Sequence, residues 1–391
     1  MNELHAILDT WRKARNENQD AVLATVVHVS GSAYRRPGAR MLMLPDGARV
    51  GSISGGCLEG DVSQKAWWLT EDGKATLRVY DTMSEEDIVW EFGLGCNGII
   101  QVLLERLGSG SAREAMEFLD HCRMERADAV VCTVIRANGP ACVGERLFVS
   151  SGKVRGGTLA STPIELALLP HCERTFLERK SRLAHVENCE VFVEWAGLPV
   201  PLVIFGAGHD AIPLVNIAKQ IGWHVTVADG RPAYAKAGRF PDADCVVHIH
   251  PGDPLAGLEI GPQTAVVLMT HNYPQDGKLL QRILPLAPRY LGILGPKART
   301  ARLFAELGVS IDDGALNAPI GLDIGADTPE SIALSIAAEI QAVVSARGGG
   351  MLRLRDDSIH APVIVKGESA VADPERIRFD FGCELASSKS S

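Results

Sequence analysis

Two cysteines sit where thiol chemistry is plausible. Cys57 lies in GSISGGCLEGDV (51–62) and Cys96 in EFGLGCNG (91–98). Adjacent N–H groups in such glycine turns can cradle an anion and lower a thiol's pKa. That would make the thiolate a nucleophile or a soft metal ligand. The alternative is a thiol buried for structure alone. Gly55 and Gly56 precede Cys57, and Glu59 and Asp61 follow it as groups able to orient a polar ligand or exchange a proton.

A second set lies in the C-terminal half. Gly206, Gly208 and Ala211 spell G-x-G-x-x-A between an apolar run and a helical pattern, and Asp229 ends the next apolar run. In that context the glycines let a backbone approach a pyrophosphate, and the acid reaches a ribose hydroxyl. The same residues would also serve a turn without a ligand. Asp210 places negative charge where phosphate would come, and His209 is either a ligand contact or a plain turn residue. His271 and Asn272 follow VVLMT, and Lys297 and Arg299 follow GILGP. These are strand ends, where α/β sheets keep proton donors and phosphate partners, or simply solvated loops. Arg35, Arg36 and Arg40 supply charge for an anionic cofactor or a solvated surface. No HExxH exists, and His248 and His250 lack a third ligand, so zinc is not expected.

The elements that must position these residues differ between the halves. A helix is predicted over 4–15, from Leu4, Ile7, Leu8 and Trp11 on one face. Next, AVLATVVHVSG is answered a hundred residues later by AVVCTVIRANG, GARMLML by GERLFVS, and IIQVLLERL by CEVFVEWAG. This is a duplicated β-rich unit, with copies at about 20–107 and 128–197 inside a domain spanning 1–197. The second copy reads TLASTPIELAL where the first reads SISGGCLEGDV, so the strands can be written without the cysteine loop.

From 198 to 347 strands alternate with helices, as in a Rossmann-like doubly wound parallel sheet. Its last helix is capped by Thr328 with Pro329 at the first position. A tail from 348 to 391 is expected to hold one hairpin, in MLRLRDD and APVIVKG, and the apolar Cys132 and Cys245 read as core strand residues.

Composition excludes several classes. At 391 residues the chain should hold two or three domains, and its net charge of −9 opposes binding to nucleic acid or an anionic membrane. The N-terminal segment carries charges through its apolar positions, unlike a secretory signal or anchor. Nine cysteines without a CxxC pair point to free thiols in a reducing, cytoplasmic setting.

Taken together, GSAYRRPGARMLML, GSISGGCLEGDV, FGLGCNG, VIFGAGHDAIPL, MTHNYPQD, YLGILGPK and APIGLDIGADTPESIALSIAAEI resemble the XdhC/CoxI family of molybdenum-enzyme maturation factors. The resemblance runs from about 20 to 345. It implies a chaperone, more than a catalyst, that binds the molybdenum cofactor as molybdopterin or a dinucleotide form. It also implies cofactor sulfuration with a cysteine desulfurase and insertion into a xanthine dehydrogenase-type client, by a homodimer. Gly55, Gly56, Cys57, Glu59 and Gly60 match its first signature, with Cys57 meeting molybdenum or sulfur, and Gly95 and Cys96 match its second. Gly206, Gly208, His209 and Asp229 match the Rossmann block, and His271, Gly292, Gly295, Gly321, Asp323 and Gly325 the later ones. Tyr34, Asp210, Asn317 and the GPKART run holding Lys297 depart from the pattern. An NAD(P)-dependent oxidoreductase and a non-catalytic nucleotide-binding scaffold are the alternative readings.

Overall fold

The computed structural model describes residues 2–31, 33–81, 98–308 and 316–355. Gly95 and Cys96 lie outside these residues, as does most of the expected C-terminal hairpin; within the tail, Leu352–Leu354 form a short 3-10 turn rather than a strand. The described residues divide into two compact units, Glu3–Leu198 and the segment from Pro199 to Arg355.

The first unit is one motif written twice. The first copy runs α1 (Asn2–Asn16), β1 (Val22–Gly31), β2 (Arg40–Met43), β3 (Arg49–Gly51), α2 (Glu59–Leu69), β4 (Thr76–Asp81) and β5 (Gly98–Arg106). The second runs α3 (Gly110–Met124), β6 (Ala129–Ala137), β7 (Arg146–Ser150), β8 (Lys153–Gly156), α4 (Pro163–Glu178), β9 (Arg182–Val186) and β10 (Cys189–Ala196). Each makes a five-stranded antiparallel sheet of the same order, β3-β2-β1-β5-β4 and β8-β7-β6-β10-β9. Each copy also begins with a helix, α1 or α3, ahead of its strands.

The central strands β1 and β6 read as near-continuous apolar runs because both faces of each are buried. Val22, Ala24 and Val26 share a core with Val62 and Ala66 of α2, as Val130, Cys132 and Val134 do with Leu168 and Cys172 of α4. On the other side the sheets meet each other: Val27 and Leu103 of one copy pack with Ile135 and Phe192 of the other. Helices α1 and α3 flank that contact through Leu8, Trp11, Met116 and Leu119. Their exposed sides are tied by Arg12–Asp120, Asp9–Arg123 and Arg15–Glu117.

The second unit holds β11 (Pro201–Phe205), α5 (Ala211–Gln220), β12 (His224–Asp229), β13 (Cys245–His248) and β14 (Ala265–Leu268). It continues with α6 (Tyr273–Ile283), β15 (Tyr290–Ile293), α7 (Lys297–Leu307), β16 (Leu316–Asn317) and α8 (Pro329–Val344). Every strand pairing is parallel, in the order β13-β12-β11-β14-β15-β16. The chain therefore reverses its winding between β11 and β14, the place where such sheets hold ligands. Leu214, Val215, Ile336 and Ile340 of α5 and α8 cover one face, and Leu279, Leu280, Leu303 and Phe304 of α6 and α7 the other. A reciprocal Thr328–Ser331 capping box starts α8, with Pro329 as its first residue. Cys132 is buried as expected, but Cys245 is exposed, because β13 is an edge strand. Among the described residues no helix is long and apolar enough to cross a membrane.

Two buried ion pairs cross between the copies of the first unit. Arg40 Nη1 and Nη2 donate to Glu194 Oε1 and Oε2 at 2.7 and 2.5 Å. Arg146 Nη2, from the matching position of the second copy, donates to Glu105 Oε2 at 2.5 Å. Glu105 and Glu194 themselves occupy equivalent places on β5 and β10. Arg40 is thus neither a ligand-binding cation nor a surface residue; it is 8% exposed, and Glu194 is 5% exposed. Arg35 pairs with Glu3 instead. Breaking a buried pair leaves a lone charge in a place without water. Glu194→Gln is therefore expected to lower stability by about 3–5 kcal/mol, and Arg40→Met combined with Glu194→Leu to recover most of that loss, as read by urea unfolding.

Candidate functional site

The loop carrying Cys57 joins β3 to α2. Gly51 and its counterpart Gly157 open the two equivalent loops with φ of +88° and +110°. A Cβ on either would lie 2.3 Å from the carbonyl oxygen of Arg40 or Arg146, so no other residue fits there. From these glycines the loops match without a gap, SISGGCLE (52–59) against TLASTPIE (158–165). Ile53 and Leu159 are both buried.

Glu59 and Glu165 both turn back onto their own loops. Glu59 Oε1 accepts from the Ser52 hydroxyl at 2.9 Å, the Ile53 N–H at 3.1 Å and the Ser54 N–H at 2.9 Å. Its Oε2 accepts from the Ser54 hydroxyl and from the Gly56 N–H at 3.0 Å. Glu165 Oε2 accepts from the Ser161 N–H at 2.5 Å. The anion that this glycine turn cradles is the protein's own carboxylate. Burial alone would raise the pKa of Glu59, but the Ser54 and Ser52 hydrogen bonds outweigh it and hold the carboxyl at about 2. Asp61 is engaged too, accepting from the Tyr80 hydroxyl at 3.0 Å and pairing with Lys65 at 2.6 Å.

What the copies do not share is Ser54–Cys57 against Ala160–Pro163. Helix α4 starts at Pro163, whereas α2 starts two residues later in the match, at Glu59. Gly56 takes φ +113° where Thr162 has −103°. Cys57 thereby replaces the first residue of the sister helix and presents a partly exposed thiol. The ring of Tyr34, 75% exposed, lies against Gly55, where a Cβ would come within 3.2 Å of its Cδ1. A thiolate suits a soft metal or sulfur centre, and an exposed ring suits a flat heterocycle. The chemistry of these two side chains is compatible with a pterin-bound metal.

At the C-terminal ends of β11, β12 and β14 the structure assembles Gly206, Gly208, His209, Asp229 and His271. Gly206 has φ +114°, and a Cβ there would sit 2.3 Å from the Met269 carbonyl oxygen, so β11 needs glycine to approach the neighbouring strand end. Asp229 is 4% exposed, and its carboxylate is filled from within. Oδ2 accepts from the Ala207 N–H and Arg231 Nη2, both at 2.7 Å, and Oδ1 from the Arg231 N–H and Nε at 2.8 and 2.9 Å. Burial pushes its pKa up, and these partners more than reverse that. His271 (φ +56°) places Nε2 2.7 Å from Oδ2 of Asp210, the N-cap residue of α5. A pyrophosphate approaching that helix would meet a carboxylate. His209 is exposed. Lys297 stands apart from the group as the exposed first residue of α7, beyond β15. Arg299 holds the buried Asp276 at 2.7 Å.

The one sequence signal for Arg231 is its place in DGRP, two residues after the strand-ending acid. Sequence alone marks Tyr34 only as a departure from a pattern. Among the described residues no group of three or more His, Cys, Asp and Glu is arranged to hold a metal ion.

Fold and turns together define a Rossmann protein joined to a duplicated, thiol-bearing antiparallel unit. Residues 202–340 match the XdhC Rossmann domain, and residues 14–81 match the XdhC and CoxI family. A probable xanthine dehydrogenase subunit from Bacillus subtilis is 36% identical over 341 residues, 87% of this chain and 97% of that one. The crystal structure of a xanthine dehydrogenase from Bacillus halodurans superposes with a TM-score of 0.73 at 33% identity, covering 87% of this chain and 96% of that one. The molybdenum cofactor insertion chaperone PaoD of Escherichia coli is 26% identical over 336 residues, 85% of this chain and 86% of that one. The chain belongs to the XdhC and CoxI family.

The Glu59 geometry fixes a pH dependence. Its folded pKa of about 2 lies below the ordinary 4.5, so the carboxylate stabilises the fold fully above 4.5. That contribution is lost as pH falls through the folded value. Glu59→Gln is expected to lose about 2–3 kcal/mol at neutral pH, with the gap from wild type closing between about pH 4.5 and 2, as read by urea midpoints across that range.

Proposed function

We propose that this protein holds the molybdenum cofactor and delivers it to a xanthine dehydrogenase-type hydroxylase. The observation that carries the reading is the divergence of one loop between two otherwise matched copies. Gly51, Ile53 and Glu59 have equivalents that serve the fold, while Gly55, Gly56 and Cys57 have none. A thiol placed where the sister copy begins a helix is built for something other than folding. Family membership and the cofactor-insertion role of PaoD supply the object.

The cofactor, when bound, brings a soft metal centre with sulfur ligands and a phosphate-bearing pterin. Cys57 holds the metal or sulfur end and shields it from water. Glu59 does not touch it: by filling the loop's N–H groups it fixes where Cys57 stands, and so is a positioning residue. Tyr34 packs on the flat ring. The finer parts of the reading are a cysteine desulfurase that sulfurates the held cofactor, action as a homodimer, and a cytoplasmic location. Nicotinamide chemistry draws no comparable support, because Asp229 is filled by Ala207 and Arg231 and the Asp210 carboxylate stands at the start of α5.

Anaerobic titration of apoprotein with molybdopterin, followed by tryptophan fluorescence, tests this. Cys57→Ser is expected to weaken binding at least about tenfold, or about 1.4 kcal/mol, with the urea midpoint unchanged. Equal affinity of variant and wild type would contradict the reading.

A further inference from the structure

Away from the Cys57 loop and the Rossmann strand ends, the second copy holds two thiols in contact. Cys132 of β6 and Cys172 of α4 are forty residues apart in sequence, and their Sγ atoms lie 3.3 Å from each other. Both are free, and both are fully buried in a core that includes Val130, Val134, Leu147 and Leu168.

The first copy shows how little this helix–strand crossing needs for packing. Setting AVLATVV on AVVCTVI puts Ala24 at the place of Cys132. The gapless loop match, carried on into the helices, puts Ala66 at that of Cys172. Both alanines are 0% exposed and belong to one core. Methyl groups therefore suffice to seat the helix on its sheet, and the second copy has a thiol at both places. One buried cysteine serves as a small apolar residue. Two that meet where alanines serve the sister fold form a redox pair. Their sulfurs need approach by only about 1 Å to reach bonding distance.

We infer that Cys132 and Cys172 close to a reversible disulfide when the protein meets a peroxide, stapling α4 to β6. One thiolate attacks the O–O bond of hydrogen peroxide, giving a sulfenic acid and hydroxide. The other sulfur then attacks the sulfenic sulfur, the S–O bond breaks, and the oxygen leaves as water. In sum the two thiols lose two electrons and two protons, and the peroxide becomes two waters. The contact with Cys172 and burial both hold the Cys132 thiol well above its ordinary pKa, so the closed core reacts slowly. Entry is by way of α4. Pro170 lies inside that helix, where it removes a backbone hydrogen bond two residues before Cys172 and weakens the turn that covers the pair. The inference stands apart from the cofactor reading, since neither thiol belongs to the Cys57 loop.

The test treats the full chain with hydrogen peroxide, blocks the remaining thiols with N-ethylmaleimide in denaturant, and maps peptides by non-reducing mass spectrometry. The expected product is a Cys132–Cys172 cross-link, lighter than the dithiol by two hydrogens and undone by dithiothreitol. The urea midpoint of the treated protein should rise, and dithiothreitol should return it to its starting value. Cys132→Ala with Cys172→Ala writes the first copy's residues into the second. That variant should keep the wild-type circular dichroism and show no reductant-dependent midpoint. The inference is overturned if both thiols still react with N-ethylmaleimide after treatment that oxidises the exposed Cys142. It is equally overturned if either cysteine cross-links elsewhere instead, or if the variant shows the same reductant-dependent rise. Should the double variant fail to fold, the wild-type cross-link and its midpoint decide alone.

Discussion

Two arginines and two glutamates, exchanged between copies, set the geometry of the N-terminal unit. Buried ion pairs add little net stability; they penalise every arrangement that leaves one charge alone. Arg40 can meet Glu194 and Arg146 can meet Glu105 only when the two sheets face each other in one register. That packing buries the inner faces around Val27, Leu103, Ile135 and Phe192. It assigns α2 and α4 to the opposite faces of their sheets, and with them the loops that lead into those helices. The same arginines supply the carbonyls against which Gly51 and Gly157 close. The register of the two copies and the start of the thiol loop therefore rest on the same residues.

Both signature turns share a second feature. Each looks like an anion cradle, and each is filled by an internal carboxylate: Glu59 in the cysteine loop, Asp229 beside the Rossmann glycines. Filling the N–H groups from within makes the turns rigid before any ligand arrives, and preorganisation reduces the ordering required on binding. Recognition then falls to side chains at the rim. On the first unit the proposed recognition groups are Cys57 and Tyr34.

Much of this is legible in the sequence, for reasons that can be named. The duplication shows because β1 and β6 are buried on both faces and so keep long apolar runs. The parallel sheet shows because each strand ends at a glycine or polar turn. The gapless match of SISGGCLE with TLASTPIE isolates the cysteine loop before any coordinates. What sequence does not give is pairing across long separations. Nothing local distinguishes Arg40, buried against Glu194, from its exposed neighbour Arg36. The acids Glu59 and Asp229 have the residue type and spacing of ligand contacts, and only the distances show their carboxylates filled by neighbouring N–H groups, hydroxyls and a guanidinium. Cys245 lies in an apolar run, yet its strand is the sheet edge.

The proposed ligand site is Gly55–Cys57, set into a loop whose Ser54 and Glu59 serve the fold. The sister copy offers the direct control. The combined variant Gly55→Ser and Cys57→Ala, the first of which is the second copy's residue, leaves Ser54 and Gly56, which bond Glu59, in place. Molybdopterin affinity and urea stability of this variant, measured side by side, decide the matter. The variant is expected to fold within about 1 kcal/mol of wild type and to lose molybdopterin binding. A variant that folds and binds molybdopterin as wild type does would contradict it.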